Sequence, residues 1–194
     1  MAKYVAEFIG TCILALAVSL SITGKFPVPT PVIAGLALGI CVYTFGAVSG
    51  THINPAITLA LASIGKITVK DAAIYIVAQF AGAGAAMAIA GTLATRANVG
   101  GADGGGVVLA EALGTFLLAT GVVSVVLANA PGEASGIVIG GSLLLGISIA
   151  APASNGVLNP AVALAIGSVS ASYIIGPVIG AVAAMLLYRH VLKP

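Results

Sequence analysis

Apolar residues run through this chain in six long stretches, at about 4–23, 31–49, 70–92, 107–129, 134–152 and 171–192, broken by short patches of proline, glycine and charge. Each stretch predicts a helix long enough to cross about 30 Å of hydrocarbon at about 1.5 Å per residue, with some tilt. Two further apolar runs, about 54–64 and 159–168, fall short of that length. They are expected to dip into the membrane and return on the same side. Re-entrant backbone survives at that depth only where protein buries it or a water-filled cavity borders it, so the pattern already implies a pore. Both short runs open on one triplet, Asn54-Pro55-Ala56 and Asn159-Pro160-Ala161. Proline at the first helical position gives up an N–H that would be orphaned anyway, and asparagine before it is a good N-cap. Each triplet therefore reads as the start of a half-helix with an amide side chain at its positive end.

The pattern repeats. Ala6-Glu7-Phe8-Ile9-Gly10-Thr11 is echoed by Ala110-Glu111-Ala112-Leu113-Gly114-Thr115. The offset is 111 − 7 = 104 positions from Glu7 to Glu111 and 159 − 54 = 105 from Asn54 to Asn159. Near the end of each half, Gly82-Ala83-Gly84-Ala85-Ala86-Met87 matches Gly180-Ala181-Val182-Ala183-Ala184-Met185. The chain thus reads as one channel domain, 1–194, built from halves 1–98 and 107–194 and joined by a flexible glycine-rich link, 99–106. Three spans per half is an odd number, so the second half is inverted relative to the first, and the functional site is expected near the midplane. The fold class is all-α: six transmembrane helices plus two re-entrant half-helices. Glycines four apart, as in Gly35/Gly39, Gly136/Gly140 and Gly176/Gly180, allow close helix packing in lipid and carry no further functional weight.

Composition agrees. Of 194 residues, 60% are hydrophobic and 6% charged, too much apolar surface for a soluble domain to hide, so lipid is the solvent. The first run, from Val5, outlasts a signal-peptide core and is expected to be a span. A formal charge of +2 gives no reason to expect nucleic acid. Cys12 and Cys41 fall within spans as isolated thiols, and with two histidines in the chain no metal site or cofactor is evident. No nucleophile–base pair or phosphate-cradling loop stands out, so an enzyme is not expected. Placing Lys3, Lys66, Lys70, Arg189 and Lys193 inside, against Lys25 and Arg96 outside, puts both termini in the cytoplasm of a multi-pass cell-membrane protein.

Glu7 and Glu111 stand at equivalent points within spans, where an ionisable group needs a partner. One reading is a proton relay. The preferred one is that each carboxylate accepts hydrogen bonds from its re-entrant loop, which otherwise lacks partners. His52, close before Asn54, is likewise read as a hydrogen-bonded loop residue rather than a pH gate.

Ala6-Glu7-Phe8, Ser49-Gly50 with His52 and Asn54-Pro55-Ala56, Gln79 with Gly82, and Leu158-Asn159-Pro160-Ala161 together resemble the aquaporin, or major intrinsic protein, family over nearly the whole chain. The resemblance implies half-helices meeting at the bilayer centre and a homotetramer with one pore per subunit, passing water or small neutral solutes. It also implies a selectivity filter, whose positions fall on Ala34, Ile147, Gly156 and Val162. Here the chain departs from the family: Val162 stands where an arginine is usual, and Ala34 where an aromatic is usual. A wide, cation-free filter of this kind implies passage of glycerol, urea or neutral metalloid acids beside water. The alternatives are a strict water channel narrowed elsewhere, a secondary transporter, which predicts ion-coupled uptake, and a gated ion channel, which predicts current.

Overall fold

A computed structural model describes residues 1–24 and 26–192. The expected outside position of Lys25 and inside position of Lys193 therefore lie outside the described residues. Among the described residues there are eight α-helices and no strand: α1 Ala2–Thr23, α2 Thr30–Ser49, α3 Pro55–Ser63, α4 Val69–Leu93, α5 Gly105–Val126, α6 Ser135–Ala150, α7 Pro160–Ala165 and α8 Ser172–Leu187. A 3₁₀ turn, Gly132–Ala134, leads into α6, and a π-helical turn, Tyr188–Leu192, follows α8. With these extensions six segments of 19 to 25 residues are long and apolar enough to span a membrane. The short helices α3 and α7 are not among them.

The buried stripes of α1 and α5 show the repeat in three dimensions. Ala6, Glu7, Gly10, Thr11, Leu14, Ala15 and Val18 are buried on α1, and Ala110, Glu111, Gly114, Thr115, Leu118, Ala119 and Val122 on α5, each displaced by 104 positions. This is the three-to-four spacing of a helix with one inward face. α1 packs along α4 as α5 packs along α8, and α2 and α6 close the bundle between them. Glycine makes these contacts intimate. A Cβ on Gly39 would lie 2.8 Å from the carbonyl oxygen of Gly136, and one on Gly136 would lie 2.6 Å from that of Gly39. Gly114 and Gly146 touch in the same reciprocal way, at 2.6 and 2.5 Å, between α5 and α6. In lipid, where apolar side chains gain little by meeting each other, such backbone contact is a main source of helix association.

The half-helices cross over. α3 packs chiefly on α8, from the other half, and α7 packs on α4 and α1, also from the other half. Gly50 makes the first turn inward: its φ of 81° ends α2 in the left-handed region, and its N–H caps the carbonyl of Gly46 at 2.9 Å.

Several boundaries differ from the sequence expectation, three of them around α5 and α7. α7 ends at Ala165 rather than near 168, because Gly167 adopts a φ of 71° and the N–H of Ser168 turns back to the carbonyl of Ala163. α5 begins at Gly105 and stops at Val126, short of 129, where Ala128 takes a φ of 60°. The link expected to be flexible through 106 therefore stops at Gly104, and its residues are held by hydrogen bonds to the second half.

Candidate functional site

The two half-helices meet N-terminus to N-terminus, and their caps are interlocked. Asn54 Oδ1 accepts from the N–H of Ala56 at 2.9 Å, and Asn159 Oδ1 from those of Ala161 and Val162 at 3.0 and 3.3 Å. The same amides then reach across. Asn54 Nδ2 donates to the carbonyl of Leu158, and Asn159 Nδ2 to that of Ile53, both at 2.9 Å. Each Nδ2 carries a second hydrogen, and both asparagines line a cavity of about 290 Å³. Two half-helices aiming their positive ends at one point make the centre of this cavity electropositive without any charged side chain.

The loops before the triplets are strained in matching places. Thr51 and Ile53 have φ of 49° and 36°, and their repeat counterparts Gly156 and Leu158 have 60° and 57°. For non-glycine residues this region costs about 1–3 kcal/mol each. The carboxylates offset that cost. Glu7 accepts from the Ser49 hydroxyl at 2.7 Å, the N–H of His52 at 2.9 Å, the N–H of Ile53 at 2.7 Å and Gln79 Nε2 at 2.8 Å. Glu111 accepts from the Ser154 hydroxyl at 2.8 Å and the N–H groups of Val157 and Leu158 at 3.0 and 2.7 Å. Both glutamates are fully buried. The geometry is that of loop braces, and it occupies the oxygens that a proton relay would need.

The first half is braced by polar side chains that the second half lacks. His52 Nδ1 lies 3.2 Å from Thr58 Oγ1, which also accepts from Gln79 Nε2 at 2.9 Å, and the His52 ring meets Tyr75 edge-on at 5.0 Å. By the repeat, the places of His52 and Thr58 fall on Val157 and Ala163, and that of Gln79 on Pro177. The tyrosines persist: the Tyr75 hydroxyl donates to the Ser49 carbonyl at 2.8 Å, and the Tyr173 hydroxyl accepts from the N–H of Asn155 at 3.1 Å. Ser154, Tyr75 and Tyr173 were not singled out from the sequence, and Ser49 entered only through the family resemblance. The repeat offsets contain them, since Ser49 to Ser154 is 154 − 49 = 105 positions and Tyr75 to Tyr173 is 173 − 75 = 98, the spacing of Gly82 and Gly180.

Ala34 from α2, Ile147 from α6, Gly156 from the second loop and Val162 from α7 all line the same cavity. So do Thr51 and His52. No Asp, Glu, Lys, Arg or Cys is among the described residues that line it. The main-chain carbonyls of Thr51, His52, Gly156 and Val157 take no hydrogen bond from the described residues, and all four residues lie on the cavity wall. Unpaired carbonyls at this depth need a donor from what fills the cavity. The arrangement offers acceptors on one wall, amide donors at the centre and apolar side chains opposite.

A family model described as "Major intrinsic protein" matches residues 1–188. The chain is 32% identical over 213 residues to "Aquaporin NIP1-1" of Zea mays, covering 96% of this chain and 73% of that protein. It is 32% identical over 236 residues to "Aquaporin AqpM" of Methanothermobacter thermautotrophicus, covering 97% and 96%. Among solved structures, the X-ray structure of the aquaglyceroporin from Plasmodium falciparum matches with a TM-score of 0.78 over 100% of this chain and 97% of that one. At 19% identity that likeness speaks for the fold.

Proposed function

Because the chain belongs to the major intrinsic protein family, we propose that it is a passive transmembrane channel for water and small uncharged solutes, glycerol, urea or neutral metalloid acids among them. The observation that carries this is the cavity wall: unpaired carbonyls lead to two amide donors at the meeting point of two half-helices, with no charged side chain among the described lining residues. A hydroxylated solute exchanges water's hydrogen bonds for these at little cost. A cation meets two positive dipole ends and no anionic ligand to replace its hydration. Transport of this kind needs no chemistry and no energy coupling.

Ala34, Ile147, Gly156 and Val162 act as the selectivity filter, and Asn54 and Asn159 as the central donors. A ring of two very small and two aliphatic residues favours solutes broader than water. The relatives named as aquaporins and the structural neighbour named as an aquaglyceroporin support a channel that passes water, small solutes or both. Family membership also supports a homotetramer in the cell membrane. Both termini are placed in the cytoplasm. In support, Lys3 pairs with Asp71 at 2.9 Å and Arg189 bonds to Ile64, which puts Lys3, Lys66, Lys70 and Arg189 at one end of the bundle.

Stopped-flow light scattering on proteoliposomes tests the reading, with wild type beside Val162→Arg. Fast shrinkage with an impermeant osmolyte and fast re-swelling with glycerol are expected in wild type, and slow glycerol re-swelling in Val162→Arg. Fast shrinkage without re-swelling would mean a strict water channel. No fast phase with either osmolyte would reject the channel assignment.

A further inference from the structure

The inverted repeat pairs residues of the cavity wall across the two ends of the pore. Gly35 and Gly140 are such counterparts, 140 − 35 = 105 positions apart, and they touch: a Cβ on Gly35 would lie 2.7 Å from the carbonyl oxygen of Gly140. A residue meets its own counterpart where the pseudo-two-fold axis passes, so α2 and α6 cross there. Ala34 and Ile139 each stand one residue before these glycines, and both line the cavity. A Cα–Cβ bond leans toward the N-terminus of its helix, so the two side chains lean to opposite ends of the pore. Asn129 Nδ2 donates to the Tyr188 hydroxyl at 3.1 Å, which puts the start of α6 at the Arg189 end. Ile139 is therefore the inner counterpart of Ala34. At the same offset Thr51 answers Gly156 and Ile57 answers Val162, and both line the cavity. At all three positions the inner residue is the larger. The fourth filter residue, Ile147, answers to Val42, which is buried and does not line the cavity. The cavity is asymmetric in the same sense. Outward it runs past the filter to Ile22, Pro31, Ala151 and Ile166. Their inner counterparts are Val126, Gly136, Gly46 and Leu61, and none of these four lines it.

We propose that the passage is narrowest at an inner ring of Thr51, Ile57 and Ile139, and that this ring, rather than the four outer filter positions, sets the largest solute admitted. The inference rests on the cavity being the conduction path. The two rings stand on matching backbone, so side-chain size decides which is tighter. Thr51 and Gly156 show this directly: their φ values are 49° and 60°, and only Thr51 carries a side chain. That side chain is held in place, because its hydroxyl donates to the Cys41 carbonyl of α2 at 3.3 Å. Isoleucine facing alanine's place and isoleucine facing valine's place take further room from the inner end. The ring is also where the unpaired Thr51 carbonyl stands, so a solute is sized where it exchanges its water. The outer ring then admits broadly, and the inner one sorts what has passed the two central amides.

The test turns inner residues into their outer counterparts. Wild type, Ile139→Ala and Thr51→Gly are compared in proteoliposomes with the outer truncations Ile147→Ala and Val162→Ala. Each is measured by stopped-flow shrinkage with an impermeant osmolyte and by re-swelling with glycerol and linear polyols of increasing length. Ile139→Ala and Thr51→Gly should each speed entry of the longer polyols several-fold relative to water, and the outer truncations should shift the cut-off less. Thr51→Gly places glycine at a φ that favours it, so it carries the test where Ile139→Ala folds poorly. If wild type conducts glycerol and the outer truncations shift the cut-off as far as the inner ones, or no variant shifts it, the inner-ring proposal is overturned and the channel stands. If wild type excludes glycerol and Ile139→Ala or Thr51→Gly admits it while the outer truncations do not, the proposal is supported. If neither wild type nor any variant conducts water or glycerol, the channel reading falls and the inner ring with it.

Discussion

The guanidinium of Arg189 donates to the main-chain carbonyl of Ile64. Ile64 is the C-cap of α3, the negative end of that half-helix, and Arg189 follows the last helix of the opposite half. The sequence marked Arg189 as one of several cytoplasmic cations; the structure gives it a specific partner. At the far end of the bundle the equivalent cap on α7 is the neutral N–H of Val99 on Ile166. A cation and a hydrogen bond at a helix C-terminus contribute about 1 kcal/mol, less where solvent screens them, and Arg189 is exposed. Arg189→Gln should lower the thermal midpoint in detergent by a few degrees, with Arg189→Lys intermediate. The glycerol-to-water ratio should not move, because Val162 lies at the other end. A changed ratio with an unchanged midpoint would contradict this assignment.

Glu7 and Glu111 should differ in their tolerance of amidation. Replacing either by Gln turns one acceptor oxygen into a donor facing loop donors, a loss of about 2–4 kcal/mol. In the first half, Gln79 has a buried Oε1 without a hydrogen-bond partner among the described residues and can rotate its amide to accept from the new side chain. In the second half that place is Pro177, which offers nothing comparable. Glu111→Gln should therefore lower the detergent thermal midpoint more than Glu7→Gln. Equal losses would show that Gln79 does not adapt.

Thiol reagents should distinguish the cavity from the helix interfaces. Cys41 is buried with its Sγ 3.9 Å from the Gly10 carbonyl, and neither cysteine is a lining residue. Wild-type water flux should resist a membrane-impermeant thiol reagent, whereas Val162→Cys should be blocked by it. Block of wild type would place a native thiol on the path.

The segment joining the two halves carries a pH dependence of known sign. The Ser172 hydroxyl, with the N–H groups of Gly104 and Ser172, holds the Asp103 carboxyl below its ordinary value of 3.8. A carboxyl depressed in the folded state contributes its stabilisation fully above the unfolded value and loses it as pH falls through the folded one. Amide hydrogen exchange in 99–104 should therefore be flat from neutral pH down to about 4, once corrected for intrinsic rates, and rise below it. Asp103→Asn should show raised exchange already at neutral pH. A wild-type profile with no acid limb would remove Asp103 as an anchor.

Much of this molecule was legible from spacing alone. Asn-Pro-Ala fixes where each half-helix starts, because the cap and the missing N–H are local chemistry, and α3 and α7 begin at Pro55 and Pro160 as expected. The near-constant offset paired Glu7 with Glu111, and both accept hydrogen bonds from main-chain N–H groups of the loops before the triplets. Less legible was whatever depended on contacts between distant segments. A glycine-rich stretch reads as mobile, since its backbone freedom is intrinsic; that 99–104 is held down depends on Asn155, Ser168, Ser170 and Ser172, some 50 to 70 residues away. The short extent of α7 follows from the left-handed Gly167, beside which Asn98 packs. Nothing in the local pattern announced that contact.

The crossing of α3 onto α8 and of α7 onto α4 bears on how the chain is made. Synthesis proceeds from the N-terminus, so α3 is complete 172 − 63 = 109 positions before α8, its principal partner, begins. Until then the first re-entrant loop can rely on Glu7, Ser49, Gln79 and Thr58 from its own half, all of which precede the link. The second loop emerges after α4, and although its half keeps Glu111 and Ser154 it has Ala163 and Pro177 at the places of Thr58 and Gln79. The richer polar bracing thus belongs to the half that has to wait.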